Sequence, residues 1–279
     1  MKKIHATVVT SILLLAFSIS VKVATGSSLL FSAHVPLNTG YDHSNFALYP
    51  NPAPISTVQD KYWINIASYP PTTPNVAPAF AIQKPASWQP PLSAVIDGIT
   101  VGSHWISARN THVSAPGTSQ QKPSYTIFRK CFCLQSGFKE PQLNFKVRAD
   151  DNIQVWLNTQ LNQVLAPTFG NPNGITPLSA STKKGFREGR NCLYVLLEDT
   201  FFGSMGFNLV GEVSAVGGLV EQPAQGDPPV DSPCCSQPKP GGATGNAGTF
   251  TRTTNEDQQV VQELIKIAEA RRLEKGGKK

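Results

Sequence analysis

The stretch from Gln142 to Asn158, QLNFKVRADDNIQVWLN, constrains the fold more than any other part of the chain. Apolar residues alternate with polar ones on both sides of two acids; they are Leu143, Phe145, Val147, Ile153, Val155 and Leu157. Successive side chains of a strand point to opposite faces of a sheet, so the pattern predicts two strands, each with one buried face.

The residues between these strands, Ala149-Asp150-Asp151-Asn152, are typical of a turn, because their side chains bond to nearby backbone. A catalytic pair of carboxylates would have to face each other across a cleft, whereas the side chains of neighbouring residues diverge. We therefore interpret Asp150 and Asp151 as a turn or an ion site.

The same alternation occurs before and after this stretch. In SYTIFRKCFCL one face carries Phe128, Phe132 and Leu134, and the other carries Tyr125, Ile127, Arg129, Cys131 and Cys133. In FREGRNCLYVLLED one face carries Leu193, Val195 and Leu197. Short β-branched and aromatic runs separated by Pro, Gly, Asn and Ser continue over residues 27–215, which predicts an all-β sandwich or barrel.

These motifs resemble those of the galactose-binding-like jelly rolls, a family found as carbohydrate-binding modules and as accessory domains of secreted bacterial proteins. The resemblance rests on Tyr125, Arg129, Phe132 and Leu134, on VRADDNIQVWLN and on FREGRNCLYVLLED. The family often has Gly after the "LN" pair, where this chain has Thr159. The resemblance implies that residues 27–215 form a jelly-roll β-sandwich, and that a glycan is the expected ligand class.

The first 26 residues are predicted to be a secretory signal peptide. Lys2 and Lys3 precede an apolar run that is too short to cross roughly 30 Å of hydrocarbon, and small residues up to Gly26 suit a cleavage site. We expect a secreted protein, extracellular or at the cell surface, without a membrane span. Removing Lys2, Lys3 and Lys22 lowers the formal net charge from +6 to +3, and no clustered basic face suited to nucleic acid remains.

The C-terminal part is predicted to be a linker followed by a helix. Residues 216–250 are rich in Pro, Gly, Gln and Ser and cannot bury enough apolar area to form a core. Residues 251–279 place apolar side chains at helical spacing after Glu256 and Asp257. This short amphipathic α-helix is expected to dock on the β domain or to mediate self-association.

A sugar site usually combines an aromatic surface with a few polar groups. Trp156 is the strongest candidate because it alternates with the predicted core residues, and Trp105 is a further candidate. Phe201 and Phe202 lie in an apolar loop between strands, where binding residues often gather. The alternative is that Trp156 packs beneath a neighbouring loop and that the phenylalanines pack at the sheet edge.

No cofactor is required by the sequence, although a structural calcium ion is compatible with it. Asp42, Asp150 and Asp151 are its candidate ligands, because calcium prefers oxygen ligands in turns. No spacing resembles a twelve-residue calcium loop.

Secretion permits disulfides, and the chain has five cysteines. Cys131, Cys133 and Cys192 are predicted to face away from the core, and we expect a bond between Cys133 and Cys192 that stabilises the fold by roughly 4 kcal/mol. The partners of Cys234-Cys235 stay open, and one thiol is left free or intermolecular.

Enzyme motifs are missing from the sequence: there is no H-E-x-x-H, and GSMG is not G-x-S-x-G. The sequence therefore predicts a secreted noncatalytic binding module for a carbohydrate. The alternative is a structural protein of the cell surface that assembles through the C-terminal helix and a spare cysteine.

Overall fold

The computed structural model describes residues 32–42, 47–69, 76–96, 99–110, 124–159, 162–166, 174–199, 203–222 and 255–276. Most of them belong to strands, and one helix follows. The strands are β1 Ser32–Pro36, β2 Tyr41–Asp42, β3 Ala47–Leu48, β4 Gln59–Tyr69, β5 Ala77–Ile82, β6 Ser93–Ile96, β7 Ile99–Gly102, β8 Trp105–Ser107, β9 Ser124–Leu134, β10 Lys139–Asp150, β11 Asn152–Leu157, β12 Gln163–Leu165, β13 Leu178–Thr182, β14 Gly189–Asp199, β15 Gly206–Val216 and β16 Leu219–Gln222. The helix, α1, is Asn255–Gly276.

One large antiparallel sheet dominates the fold. Its strand order is β12-β11-β14-β9-β4-β5-β8-β15-β10-β13, with β1 paired to β15 and β16 paired to β9. The sheet curls so that its two end strands approach each other, and side chains of both pack against the same core. The sheet is therefore nearly closed, and β2-β3 and β6-β7 form two small separate hairpins.

The alternating residues of the long strands fill the interior of this sheet. Ile153, Val155 and Leu157 are fully buried there, as the period of two predicts. Phe207 packs at the centre, with its ring centroid 5.4 Å from that of Trp63 and 5.0 Å from that of Phe128. Burying a side chain of this size contributes roughly 1.5–3 kcal/mol, so such contacts hold the curled sheet together.

The outer face of β9, β11 and β14 is also buried, because α1 lies across it. Val260, Val261 and Leu264 of the helix join a second apolar cluster with residues of these strands and of β4. The strand residues of this cluster are Ile64, Ile66, Tyr125, Ile127, Cys131, Trp156, Cys192, Tyr194 and Leu196. The predicted helix is thus present, and it docks on the β domain of its own chain.

The all-β architecture with a C-terminal helix is confirmed, whereas the start of the linker and the disulfide pairing differ from expectation. Leu219–Gln222, assigned to the linker, form β16, because their apolar residues continue the strand pattern before the Pro-rich sequence starts. Within the described part of the chain, no helix is long and apolar enough to cross a membrane. The predicted signal peptide, residues 1–26, lies outside the described residues.

The expected disulfide between Cys133 and Cys192 is wrong. The register of β9 and β14 places Cys131 directly opposite Cys192, whereas Arg190 lies opposite Cys133. Cys131 and Cys192 accordingly form the bond. All three cysteines have the predicted outward orientation. The strand register decided whether Cys131 or Cys133 bonds to Cys192. Cys133 also belongs to a disulfide.

Candidate functional site

Four acidic residues lie at or next to the ends of strands at one end of the large sheet. Asp150 ends β10 and is joined to Asp151 by a cis peptide bond, after which Asn152 begins β11. Asn152 pairs with Glu198, and Asp199 is the last residue of β14. We call this group, Asp150, Asp151, Glu198 and Asp199, the acidic end. The sheet pairing therefore brings to one end of the sheet acidic residues that lie up to 49 positions apart in the chain.

Two tryptophans hold Asp150 in place. Trp88 Nε1 donates a hydrogen bond to Asp150 Oδ2 at 2.7 Å. The Trp88 ring packs on the Trp105 ring with centroids 4.3 Å apart, and Trp105 Nε1 donates to the Gln89 carbonyl at 3.1 Å. Because both indole N–H groups are hydrogen-bonded, the two packed rings hold their positions. Trp88 therefore fixes the position of Asp150 Oδ2 through its hydrogen bond.

A glycine makes room for this arrangement. Gly206 lies opposite Asp150 in the β10–β15 pairing. A Cβ atom at Gly206 would lie 2.8 Å from Trp88 Cη2, which is too close for a carbon contact. The absence of a side chain at Gly206 therefore allows Trp88 to reach Asp150.

The four side chains of the acidic end are buried. Asp150, Asp151, Glu198 and Asp199 are all at most 8% exposed. Ser124, which lies opposite Asp199, is also buried, and its hydroxyl has no hydrogen-bond partner. The carboxylates of the acidic end are therefore held in fixed positions and are largely covered by the surrounding structure.

The candidate calcium ligands are not brought together as a set. Asp42 forms an ion pair with Lys61 Nζ at 3.2 Å, on β2 and β4, whereas Asp150 and Asp151 lie where β10 meets β11. Among the described residues, no group of three or more His, Cys, Asp and Glu side chains is placed to hold a metal ion. The described carboxylates alone therefore do not form a calcium cage.

The candidate aromatic residues have different surroundings from those of a sugar platform. Trp156 lies on the outer face, as predicted, but it is 1% exposed because α1 covers it. Trp105 is equally buried and supports Trp88. A ligand could reach Trp156 only if the helix moved. Phe201 and Phe202 lie outside the described residues.

Sequence reasoning missed Trp88 as the partner of Asp150 and the helix as the cover of Trp156. Trp88 and Asp150 are 62 positions apart, and no local pattern connects them. The one available signal for the helix contact was the acid Asp257, which precedes the apolar positions of α1 and faces Arg129 of the strand.

Comparison with known proteins gives little to add to this geometry. No protein-family model and no curated protein matches the chain. Among solved structures, it is similar to a PA14 sugar-binding domain from an RTX adhesin, with 18% identity over 35% of this chain and 56% of that chain and a TM-score of 0.25. It is also similar to the PA14 domain of the antifreeze protein MpAFP, with 20% identity over 35% of this chain and 46% of that one and a TM-score of 0.24.

The chain thus spans about half the length of these two solved structures. At such TM-scores the likenesses indicate neither the fold nor the ligand of this protein.

Proposed function

We propose that this protein is a secreted, noncatalytic module with a jelly-roll fold that binds a carbohydrate at the acidic end of its sheet. The observation that carries the proposal is the fixed position of Asp150, which Trp88 orients beside Asp151. Sugar hydroxyls are hydrogen-bond donors, and ionised carboxylates are among their strongest acceptors in proteins.

Preorganisation favours this role. Side chains that are already ordered lose little conformational entropy when a ligand binds, and carboxylates buried to the extent of Asp150 and Asp151 are ordered before binding. A few fixed polar groups are what a small-ligand site needs for orientation. The acidic end therefore supports binding of a polyhydroxylated ligand.

A noncatalytic role is supported by the same pair. Glycoside hydrolysis uses two carboxyl groups on opposite sides of the scissile bond, about 5 to 10 Å apart. Asp150 ends β10 and Asp151 is the next residue in the chain. Because the side chains of neighbouring residues diverge, this pair is not expected to flank a scissile bond.

The candidate aromatic residues take different parts in this proposal. Phe201 and Phe202 follow Asp199 in the sequence and precede β15, so they are proposed to supply an apolar contact to the sugar. Trp105 is proposed to position Asp150 through Trp88. Trp156 belongs to the helix-covered face and is proposed as a ligand contact only after helix release.

A glycan-array screen of the chain from residue 27 onward tests the proposal, with and without calcium. Asp151→Asn keeps the shape of the side chain and removes its charge, so binding should weaken about 10- to 100-fold, the effect of losing one charged hydrogen bond. Asp42→Asn is the matched control, because Asp42 contacts Lys61 away from the acidic end, and it should bind like the wild type.

The calcium arm tests whether the ion takes part. Binding that requires calcium and is lost in Asp151→Asn would place the ion at the acidic end, and calcium-independent binding would leave the carboxylates as direct acceptors. Phe202→Ala in the same screen tests the apolar contact. Absence of any bound glycan in both conditions, or equal losses in Asp151→Asn and Asp42→Asn, contradicts the proposal.

A further inference from the structure

We infer that the outer face of the sheet is a docking groove for helix α1 that also accepts the helix of a second copy of this chain, so that two copies associate by exchanging helices. The inference is independent of the acidic end, since it rests on different residues. The groove is the surface formed by Arg129, Arg190 and Tyr194 together with the apolar cluster beneath Val260, Val261 and Leu264.

Three side chains of the groove surround one helix residue, Asp257. The Arg129 guanidinium donates to Asp257 Oδ2, the Tyr194 hydroxyl donates to Oδ1 at 2.7 Å, and Arg190 Nη2 lies 3.7 Å from Oδ2. The side chain of Arg129 is 3% exposed and that of Asp257 is fully buried. A buried charge without a partner costs several kcal/mol, so the groove favours a segment that brings a carboxylate to this point.

The helix matches the groove through a single face. Asp257, Val260, Val261 and Leu264 follow the i, i+3, i+4, i+7 spacing that places side chains on one side of a helix. The partner must therefore carry an acid followed by apolar residues at this spacing. A second copy of the chain has the same helix and therefore the same face.

The covalent connection to the helix is much longer than docking within one chain requires. β16 ends at Gln222, which pairs with Cys131, and Asp257 binds Arg129 only two positions farther along the same strand. A few residues would bridge that distance. Cys133 is disulfide-bonded, and Cys234 and Cys235 are its available partners within the chain, so the connection is anchored to β9 at that point. The 19 residues from Cys235 to the start of α1 still reach roughly 60 Å when extended.

A long connection weakens docking within one chain relative to docking between chains. The effective concentration of a tethered segment falls steeply as its tether lengthens beyond the distance to be spanned. Release of α1 would also expose the apolar surface around Trp156 and the charge of Arg129, and another copy's helix covers both with the same contacts. The groove and the long connection together favour exchange when the protein is concentrated.

Complementary charge variants of the full mature chain test the exchange. Arg129→Glu disables the groove and keeps the helix, whereas Asp257→Arg disables the helix and keeps the groove. Each variant alone should be monomeric in analytical ultracentrifugation, because it lacks one half of the buried pair. An equimolar mixture should form a heterodimer, since the intact helix of the first variant docks in the intact groove of the second.

The matched control uses the exposed pair of the same interface. Arg187 Nη2 lies 2.6 Å from Glu256 Oε1, and both side chains are more than a third exposed. Exposed pairs contribute little, so Arg187→Glu and Glu256→Arg should keep their helices docked internally and should not associate when mixed. Circular dichroism verifies that every variant keeps its β signal.

A concentration series of the wild type provides a second test that needs no variant. Dimers should appear as the concentration approaches about 1 mM, the range of effective concentrations for tethers. Monomeric behaviour of the mixed charge variants, if both are folded, overturns the inference. If a variant does not fold, a wild type that stays monomeric over the whole series overturns it.

Discussion

At the scale of single residues, buried polar groups are satisfied by backbone as much as by side chains. Asp60 accepts hydrogen bonds from the Gly40 N–H at 2.6 Å, the Tyr62 N–H at 2.9 Å and the Trp63 N–H at 3.1 Å. Lys130, itself buried, lies with Nζ 5.0 Å from the centroid of the Tyr62 ring. The hydrogen bonds of Asp60 thus join the loop at Gly40 to the start of β4.

The stability of the protein should depend on the ionisation of Asp60. Burial raises the pKa of Asp60 from 3.8 to about 6, although the backbone N–H groups and Lys130 oppose the rise. A folded-state pKa above the unfolded value stabilises the fold fully at low pH, and the contribution is lost as the pH rises through about 6. The free energy of unfolding of wild type relative to Asp60→Asn should therefore fall between about pH 4 and pH 7, as urea denaturation at several pH values would measure. A difference that stays constant over this range contradicts the assignment.

Gly211 packs closely against the backbone of β10. It lies opposite Phe145, and a Cβ atom there would be 2.6 Å from Phe145 Cα. Gly211→Ala should lower the free energy of unfolding by about 1–3 kcal/mol, the usual cost of overpacking. Gly203→Ala is the control, because a Cβ atom there meets nothing within 4 Å, and its denaturation midpoint should match that of the wild type. Equal midpoints for Gly211→Ala and wild type would contradict this packing.

At the scale of elements, the docked helix explains why strands β9, β11 and β14 are buried on both faces. A strand with one face in a core and the other toward water alternates between apolar and polar residues. Here the second face is apolar as well, with Ile127, Trp156 and Leu196 under α1. The outward orientation of Trp156 was predictable from the alternation, but its cover was not, since the helix begins almost 100 positions later in the chain.

Loss of the Tyr194 hydroxyl should loosen the helix without unfolding the sheet. The Tyr194 hydroxyl donates to Asp257, and burial, helped by the nearby Asp257 carboxylate, raises the pKa of Tyr194, so it stays a neutral donor at physiological pH. Tyr194→Phe removes this bond at a cost of about 1–3 kcal/mol. Hydrogen exchange should accelerate in residues 255–276 and stay slow in β9. Glu256→Gln at the exposed rim should leave both rates unchanged, and faster exchange in β9 as well would indicate loss of the whole fold instead.

At the scale of the whole molecule, the sheet and the helix enclose two apolar clusters, one inside the curl and one beneath α1. The disulfide Cys131–Cys192 lies between β9 and β14 on the helix side and closes a loop of 61 positions. Together with the buried Arg129–Asp257 pair, it links two strands and the helix on the helix-covered face.

Peptide mapping should reveal a second bond that joins the C-terminal region to this face. Cys133 is disulfide-bonded, and Cys131 and Cys192 are bonded to each other. Of the five cysteines, Cys234 and Cys235 are then the available partners within the chain. Nonreducing digestion and mass spectrometry should yield a peptide that links Cys133 to residues 234–235 and leave a single thiol to react with an alkylating reagent. A linked peptide containing Cys133 and Cys192 would contradict this pairing.

The sequence by itself determined the β architecture, the C-terminal helix and the face on which each alternating residue lies, because these depend on the local periods of strand and helix. Phe128, Val155 and Leu193 were assigned to the interior from this period alone, and the structure places them there. Only the tertiary structure decided the register that pairs Cys131 with Cys192, the hydrogen bond from Trp88 to Asp150, and the cover over Trp156. These contacts join positions about 60 to 100 apart, where the closeness of two residues depends on how the whole sheet curls and not on the residues beside them in the chain.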